Sequence, residues 1–517
     1  MEIARPAIQA HSEHQRMRYL IRALSNTETP PGFTSSGNQF VSGVDLLERA
    51  SIVADLLVAK DVACAGIRMD NGIDWICADL ACMLAGIPVV PLPFFFTSSQ
   101  TSHVILESGI DALFGTTLGA EQAFTGFVHE PASVPLLLGP AQSRLVPAGT
   151  AKLTFTSGTT STPKGVCLSA DHQWAVAESL ASSTGFLNIQ RHLCVLPLPI
   201  LLENVAGVYA AVLSGASVCL PSLAETGLSG SSGFDPAKLL DAIRQYQPDS
   251  LILLPQMLKA LVARLQMSGE RLDGLSLVAV GGARTAPELI QSARALGIPA
   301  YEGYGLSECC SVVAFNLPGR DKPGSVGQPL PHQSVRISVS GEIEVRGEHA
   351  FSYLGKEMAE SEWLATGDLG EIDDDGFLFV RGRRKQVLIT AFGRNVSPEW
   401  IESELLAETG IAQAMVVGDG WPGLGALIVT DAGMKAEQLA GAVQRSNERL
   451  PDYARIAAFR AVSPFSQARQ QLTANGRIRR EIVMAAHSAD VQSLSNQIES
   501  HFSGVSNDVL PRTSTGH

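Results

Sequence analysis

The sequence predicts an α/β protein: a large N-terminal domain of layered α/β subdomains with mostly parallel sheets, followed by a small α+β domain. Three observations predict it. The chain has 517 residues, too many for a single hydrophobic core. From about residue 44, helical patterns alternate with short apolar runs, the signature of a largely parallel sheet covered by helices. Near residue 383 the order changes to helix, strand, strand, helix, within a unit of roughly a hundred residues. The expected domains are 1–382 and 383–486, with a polar tail over 487–517.

The elements follow in chain order. Residues 1–40 are polar and read as a loose arm with one short helix, where His11 and His14 fit a solvated terminus better than a metal site. GVDLLERASIVADLL (43–57) has the spacing of a helix. The apolar stretch Ala78–Phe96 contains Asp79, Pro88, Pro91 and Pro93, so it reads as a buried helix, a turn and a strand rather than a membrane span. ALFGTT (112–117) ends a strand, and SVCLPS (217–222), SLILLP (250–255), LSLVAVGG (275–282) and SVRISV (334–339) are strands. AETGLSGSSGFDP (224–236) reads as a Gly/Ser loop without regular structure. In the small domain EWIESELLAE (399–408) is helical, QAMVVG (413–418) and ALIVTD (426–431) are extended, and MKAEQLAGAVQRSNERL (434–450) is a long amphipathic helix.

Composition narrows the function. Hydrophobic residues make up 45% of the chain, as in a globular protein with a large core. The net charge of −13 argues against nucleic acid or an anionic membrane surface as a partner. The 8 cysteines are scattered without CxxC or zinc spacing, which suits reduced core thiols in a cytoplasmic protein. The first twenty residues hold no apolar block, so no signal peptide is expected.

The most telling stretch is LTFTSGTTSTPKGV (153–166): a strand, then a loop of small hydroxyls and glycines ending on Lys164. Glycines let the backbone approach an anion, amides and hydroxyls donate to it, and the lysine adds charge. It is not a Walker loop, because Pro163 precedes the lysine and Gly165 follows it. A second candidate, Gly418-Asp419-Gly420-Trp421-Pro422-Gly423, has dinucleotide spacing, but Pro422 and the apolar run behind it read as a hairpin.

Four further motifs follow in order: YEGYGLSE (301–308), WLATGDL (363–369), GRRKQVLITAFGRNVSPEWIE (382–402) and LTANGRIRR (472–480). Together with the hydroxyl loop they resemble the acyl-adenylate-forming family of acyl-CoA synthetases, peptide-synthetase adenylation domains and luciferases, over about residues 45–485. The resemblance implies ATP, Mg2+ and coenzyme A or a phosphopantetheine thiol as cofactors, and a mobile C-terminal domain. It implies that Thr156, Ser157, Gly158, Thr159, Thr160 and Lys164 hold the β- and γ-phosphates. Glu308, with Thr156, would ligate Mg2+, a hard carboxylate for a hard cation. Tyr304 would lie against adenine, within the nucleotide-lining run Glu302, Gly303, Tyr304, Gly305 and Ser307. Gly281, Gly282 and Ala283 would border adenine and the acyl pocket. Asp368 would accept from both ribose hydroxyls, and Arg383 would reach the same ribose. Gln386 stands where the family hinge residue, Asp or Lys, usually stands. Phe392, Gly393 and Arg394 resemble the thiol-tunnel loop.

Three departures accompany the likeness. Ser161 replaces a usual Gly. Arg477 replaces the lysine that reaches the carboxylate and α-phosphate; a guanidinium keeps the charge and can grip phosphate through two donors. The acyl-pocket stretch LPLPILLENVAGVYAAVL (196–213) lacks both the usual pocket-closing aromatic or His and an Asp for an ammonium. Its polar residues are Glu203, Asn204 and Tyr209, and Glu203 could face an amino group or serve as a cap or loop carboxylate. The expected function is ATP-dependent adenylation of an aliphatic, fatty carboxylic acid, with pyrophosphate release and transfer to a thiol. A carrier protein or downstream enzyme is a possible partner. The alternatives are an amino- or aryl-acid enzyme, or an ATP-binding pseudoenzyme without the usual lysine.

Overall fold

Two nine-stranded sheets form the bulk of the large domain. A computed structural model describes residues 21–25, 31–94, 96–115, 124, 127–128, 134–140, 145–156, 164–229, 233–347, 350, 352–357, 361–473 and 476–505. In the first sheet the strands Gly32–Ser35, Ser217–Leu220, Arg191–Leu193, Ser250–Leu253, Leu277–Val280 and Ala300–Leu306 run parallel in that spatial order. In the second, Ala112–Gly115, Ala65–Arg68, Val89–Pro91 and Lys152–Thr156 run parallel, and antiparallel strands extend both edges. Short, wholly apolar strands between helices are what buried parallel sheets require.

The helix Ile73–Ala85 joins the two sheets. Every residue from Ile73 to Cys82 except Asp74 is buried, and the helix touches strands of both sheets. A helix apolar on all sides has no solvent face and belongs between layers. A third sheet of four antiparallel strands, Gln333–Ile337, Glu342–Gly347, Leu364–Ile372 and Leu378–Arg383, leads to the turn Arg384–Gln386 and the small domain.

The small domain is built on the strands Ile411–Val417, Leu424–Thr430 and Ile456–Ala461. Strand alternation divides its core. Ala414, Val416, Ala426 and Ile428 meet Ile401, Leu405 and Leu439 of the helices Pro398–Ala407 and Ala436–Glu448. Met415, Val417, Leu427 and Val429 face the other way. Gly418–Gly423 is the turn of the antiparallel pair Ile411–Val417 and Leu424–Thr430, the hairpin expected of it.

Three expectations need correction. The N-terminal arm is not loose throughout: Gly32–Ser35 and Gln39–Ser42 edge the first sheet, with Phe33 buried beside Val218. The stretch 224–236 contains a short hairpin, Leu228–Ser229 against Gly233–Phe234. Beyond the hydroxyl loop the chain returns as Lys164–Leu168, antiparallel to Lys152–Thr156. The polar tail contains a helix, Ser488–Val505, whose Leu494 and Ile498 are buried against the second face of the small sheet. Val491, Leu494 and Ile498 recur at helical spacing, and polar neighbours masked that stripe in the sequence. Leu494→Ala is expected to cost about 2–5 kcal/mol by opening a cavity on that face, read as an earlier unfolding transition in denaturant; an unchanged midpoint would show that the helix does not cover the core.

Candidate active site

The carboxyl ends of both large sheets, the third sheet and the small domain border one cleft of about 1710 Å3. Open α/β sheets bind ligands at such strand ends, because the loops there are free to vary over a rigid support. At its centre, Asp368 and Arg383 are directly paired across adjacent antiparallel strands. Asp368 is only 3% exposed, its Oδ1 lies 2.9 Å from Arg383 Nε, and its Oδ2 accepts from the Tyr304 hydroxyl at 2.5 Å. Burial raises the Asp368 pKa, while Arg383 and the Tyr304 bond oppose the shift. Tyr304 is pushed far above its ordinary value, first by burial and then by the Asp368 charge.

Glycines permit the close approaches. At Tyr304–Gly305 the strand Ala300–Leu306 shifts register against Ser311–Phe315, and a Cβ on Gly305 would lie 1.5 Å from the Ser311 carbonyl oxygen. Only glycine fits that bulge. Gly303 packs a backbone face against Phe315. Gly281, Gly282 and Ala283 follow the strand Leu277–Val280 and line the cleft; Gly282 sits at φ +86°. Beside them Glu302 is fully buried and accepts from the Thr285 amide at 2.8 Å. Burial lifts its pKa from 4.5 to about 7, against the Thr285 bond and the Arg284 charge.

Ser307 opens the turn Ser307–Cys309. Glu308 Oε1 accepts from the Tyr353 hydroxyl at 2.9 Å, and Tyr353 pairs with Val166 in the strand that begins at Lys164. That tyrosine therefore brings the Glu308 carboxylate toward the end of the hydroxyl loop. Glu308 and Lys164 both line the cleft. Among the described residues no cation pairs with Glu308, and a carboxylate with lone pairs to spare suits a phosphate-bridged Mg2+.

The small domain contributes Arg477. Its backbone is fixed by two bonds to Thr473, Arg477 N to Oγ1 at 3.0 Å and Thr473 N to the Arg477 carbonyl at 2.7 Å. Its Nη2 crosses to the large domain and donates to the Gly282 carbonyl at 2.7 Å. The residue as a whole is exposed, and nearby protein atoms displace part of the water around its guanidinium. That environment pulls its pKa below the ordinary value, helped by the Arg383 charge and opposed by Glu399, Asp368 and Glu308.

Toward the large-domain interior the cleft becomes an aliphatic trench. Leu277, Ala279, Val280 and Gly281 all line it. Its wall is the segment 196–213, which includes the π-helical turn Asn204–Tyr209. All three polar side chains of that wall are engaged elsewhere. Glu203 accepts from the Val195 and Leu196 amides at 3.1 and 2.7 Å and from His192 Nε2 at 2.9 Å. Asn204 binds Lys152 and Asp79, and the Tyr209 hydroxyl donates to Asp79. Lys152 and Asp79 form a wholly buried ion pair at 2.9 Å. His192, at the trench floor, has its other nitrogen 3.0 Å from Ser250 Oγ.

The profile of the AMP-binding enzyme family matches residues 25–352, and that of the AMP-binding enzyme C-terminal domain matches 385–499. The chain belongs to the AMP-binding enzyme family. Long-chain-fatty-acid–CoA ligase FadD15 of Mycobacterium bovis is 36% identical over 248 residues, 42% of this chain and 41% of that protein, so the chain spans less than half the length of that relative. The 2-succinylbenzoate–CoA ligase of Bacillus velezensis is 29% identical over 434 residues, 76% of this chain and 83% of that protein. Among solved structures, O-succinylbenzoate coenzyme A synthetase of Bacillus subtilis in complex with AMP aligns with a TM-score of 0.71 at 25% identity, covering 90% of this chain and 97% of that one.

Of the residues expected from sequence in this AMP-binding enzyme, the structure gathers Lys164, Gly281, Gly282, Ala283, Glu302, Gly303, Tyr304, Gly305, Ser307, Glu308, Asp368, Arg383 and Arg477 around one cleft. Thr156 ends its strand, and Ser157, Gly158, Thr159, Thr160 and Ser161 lie outside the described residues. Gly393 is not brought to the cleft. It turns the hairpin Leu388–Ile389/Asn395–Val396 at φ +72°, exposed, beside a Phe392 ring 6.3 Å from Phe502. Each Asp368 oxygen already has one protein partner, Arg383 Nε or the Tyr304 hydroxyl. Glu203 is an internal acceptor, with both carboxylate oxygens bonded within the protein. Tyr353, Lys152 and Lys259 escaped the sequence reading, because their partners are remote in sequence and no local pattern marks them.

The raised Glu302 pKa has a testable sign. The folded state binds the proton more tightly than the unfolded chain, so stability falls as the pH rises from about 4.5 to about 7, by on the order of 3 kcal/mol. Glu302→Gln should flatten that slope in denaturant titrations across the window; an equally steep slope in the variant would assign it to another group.

Proposed function

We propose that the protein is an AMP-forming acid–thiol ligase that activates an aliphatic, fatty carboxylic acid and passes the acyl group to coenzyme A, with a carrier-protein phosphopantetheine as the other thiol this chemistry admits. The observation that carries the reading is the single cleft, with charged groups at one end and an aliphatic trench at the other whose wall has no polar side chain to spare.

A carboxylate is a poor acyl donor, because oxide does not leave. In the proposed first step a carboxylate oxygen attacks the α-phosphorus of ATP, the bond to the bridging oxygen breaks, and pyrophosphate leaves with the electron pair. In the second, a thiolate attacks the acyl carbon, AMP leaves, and the thiol proton passes to solvent. The first step needs positioning and charge neutralisation more than covalent help. Arg477 would meet the α-phosphate and carboxylate, and Lys164 with the hydroxyl loop from Thr156 to Thr160 the β- and γ-phosphates. Mg2+ held by Glu308 would neutralise phosphate charge. Asp368 and Arg383 would take the ribose, since each Asp368 oxygen can accept a second bond beside its protein partner. The run from Glu302 to Ser307, with Gly281–Ala283, would border adenine.

FadD15, named for long-chain fatty acids, supports the aliphatic reading, and apolar area in the trench would supply the affinity. A second reading, an aryl acid, is favoured by the 2-succinylbenzoate–CoA ligase that matches most of the chain. Acid-dependent pyrophosphate exchange across a panel of fatty, aryl and amino acids separates them; signal with aryl acids alone overturns the fatty-acid assignment.

Two variants test the details. Arg477→Ala is expected to lower exchange by at least about a hundredfold, the scale of one preorganised charge at a transition state, and Arg477→Lys to recover much of it. Exchange unchanged in Arg477→Ala would remove the guanidinium from the first step. Ala210→Trp, in the trench wall, should shift the preferred acid toward shorter chains; an unaltered chain-length profile would place the acyl group elsewhere.

A further inference from the structure

Lys259 lies on the large-domain helix Pro255–Ser268, at the rim of the cleft. Its Nζ donates to two main-chain carbonyls of the small domain, Glu408 at 2.9 Å and Ile411 at 2.6 Å. Glu408 is the C-cap of the helix Pro398–Ala407. The last carbonyls of a helix lack partners within it and carry the negative end of its dipole, so a cation there is favoured. The Glu408 carboxylate is turned to Arg445 and Arg449, at 2.8 and 2.9 Å. The carbonyl, which takes only a long bond from the Ile411 amide at 3.4 Å, has a lone pair left for the large domain. Ile411 begins a strand whose register slips between Ile411 and Gln413, where the ladder is interrupted.

Beyond the hinge residues Arg383 and Arg384, which bond to Asp368, Thr366 and Glu342, two side chains among the described residues carry the hydrogen bonds between the large domain and the small one: Arg477, to Gly282, and Lys259. An interface so sparsely bonded leaves relative domain motion as the default. Both Lys259 bonds cross it, and the lysine has no carboxylate within ion-pair distance among the described residues. Burial draws its pKa from 10.5 to about 8, against Asp431 and Glu408. The ammonium thus gives up hydration for two carbonyls, a contact that water can replace when the domain turns.

We propose that Lys259 is a positioning residue: by capping the helix Pro398–Ala407 from the opposite domain, it holds the small domain in the orientation that carries Arg477 to Gly282. The inference rests on the proposed function for its kinetic consequence but not for its structural one. Arg477 faces the step in which bonds to phosphorus change. Thiol attack on the acyl carbon changes no bond to phosphorus, so losing Lys259 should spare it.

The test uses full-length Lys259→Met and Lys259→Arg. Acid-dependent ATP–pyrophosphate exchange reads the first step, and thioester formation from a synthetic fatty acyl-adenylate and coenzyme A reads the second. Hydrogen exchange of the hinge peptide 382–390, without substrates, reads the domain contact. Lys259→Met is expected to lower kcat for pyrophosphate exchange about tenfold with KM values for acid and ATP little changed, a population effect. It should leave thioester formation within about twofold and speed hinge exchange; Lys259→Arg should restore most of the first step. Wild-type hinge exchange in Lys259→Met, or an equal fall in both half-reactions, would overturn the proposal. A wild-type protein inactive with every acid would defeat the proposed function alone, because the hinge measurement still reads the latch.

Discussion

Lys152 and Asp79 form an ion pair without access to water, and the large domain depends on it. Lys152 stands on the strand that leads into the hydroxyl loop, and Asp79 on the helix between the two sheets. Asn204 and Tyr209, from the trench wall, complete the cluster. Tyr209 also stacks on Trp174, and the lysine lies over the rings of Trp75 and Tyr209. Such a pair adds little net stability, because desolvation offsets attraction, yet losing one partner strands the other charge at about 3–5 kcal/mol. What it does supply is register. Three elements remote in sequence must meet at one point, so the trench wall stands at a set distance from the strand that ends at Thr156.

The same cluster explains why the trench is apolar. A π-helical turn places one extra residue in a helical run and redirects side chains. Here Asn204 and Tyr209 turn into the buried cluster and Glu203 to His192 and two amides. Ala206, Ala210 and Ala211 are left among the residues lining the trench. The wall's polarity, visible in the sequence, is spent inside the protein.

At the other end, charge sits on elements of different stiffness. Asp368, Arg383 and Tyr304 are bound to one another across strands, so their geometry is set before any ligand arrives. Arg477 stands on a turn of a domain attached through Arg384–Gln386 and two bridging side chains. In the proposed reaction the preorganised groups would grip the nucleotide, while Arg477 would approach the reacting phosphorus with its domain.

The sequence alone indicated the α/β class, the change of architecture near 383, the hairpin at Gly418–Gly423 and thirteen of the residues that line the cleft. The first three are written in local periodicity and turn chemistry; the cleft residues are implied by the resemblance of short motifs to the acyl-adenylate-forming family. It also marked Arg477 as the exception in its motif, since one residue type stood out against a pattern. Only the tertiary structure decided that Glu203 faces inward, that Asp368 is already engaged, that Gly393 lies away from the cleft and that the C-terminal segment covers a core face. Each of these depends on which remote groups share a point in space, and local pattern carries no record of that. Lys259 is the plainest case: a lysine on an amphipathic helix looks like any solvated charge until the helix end it caps, some 150 residues onward, folds back against it.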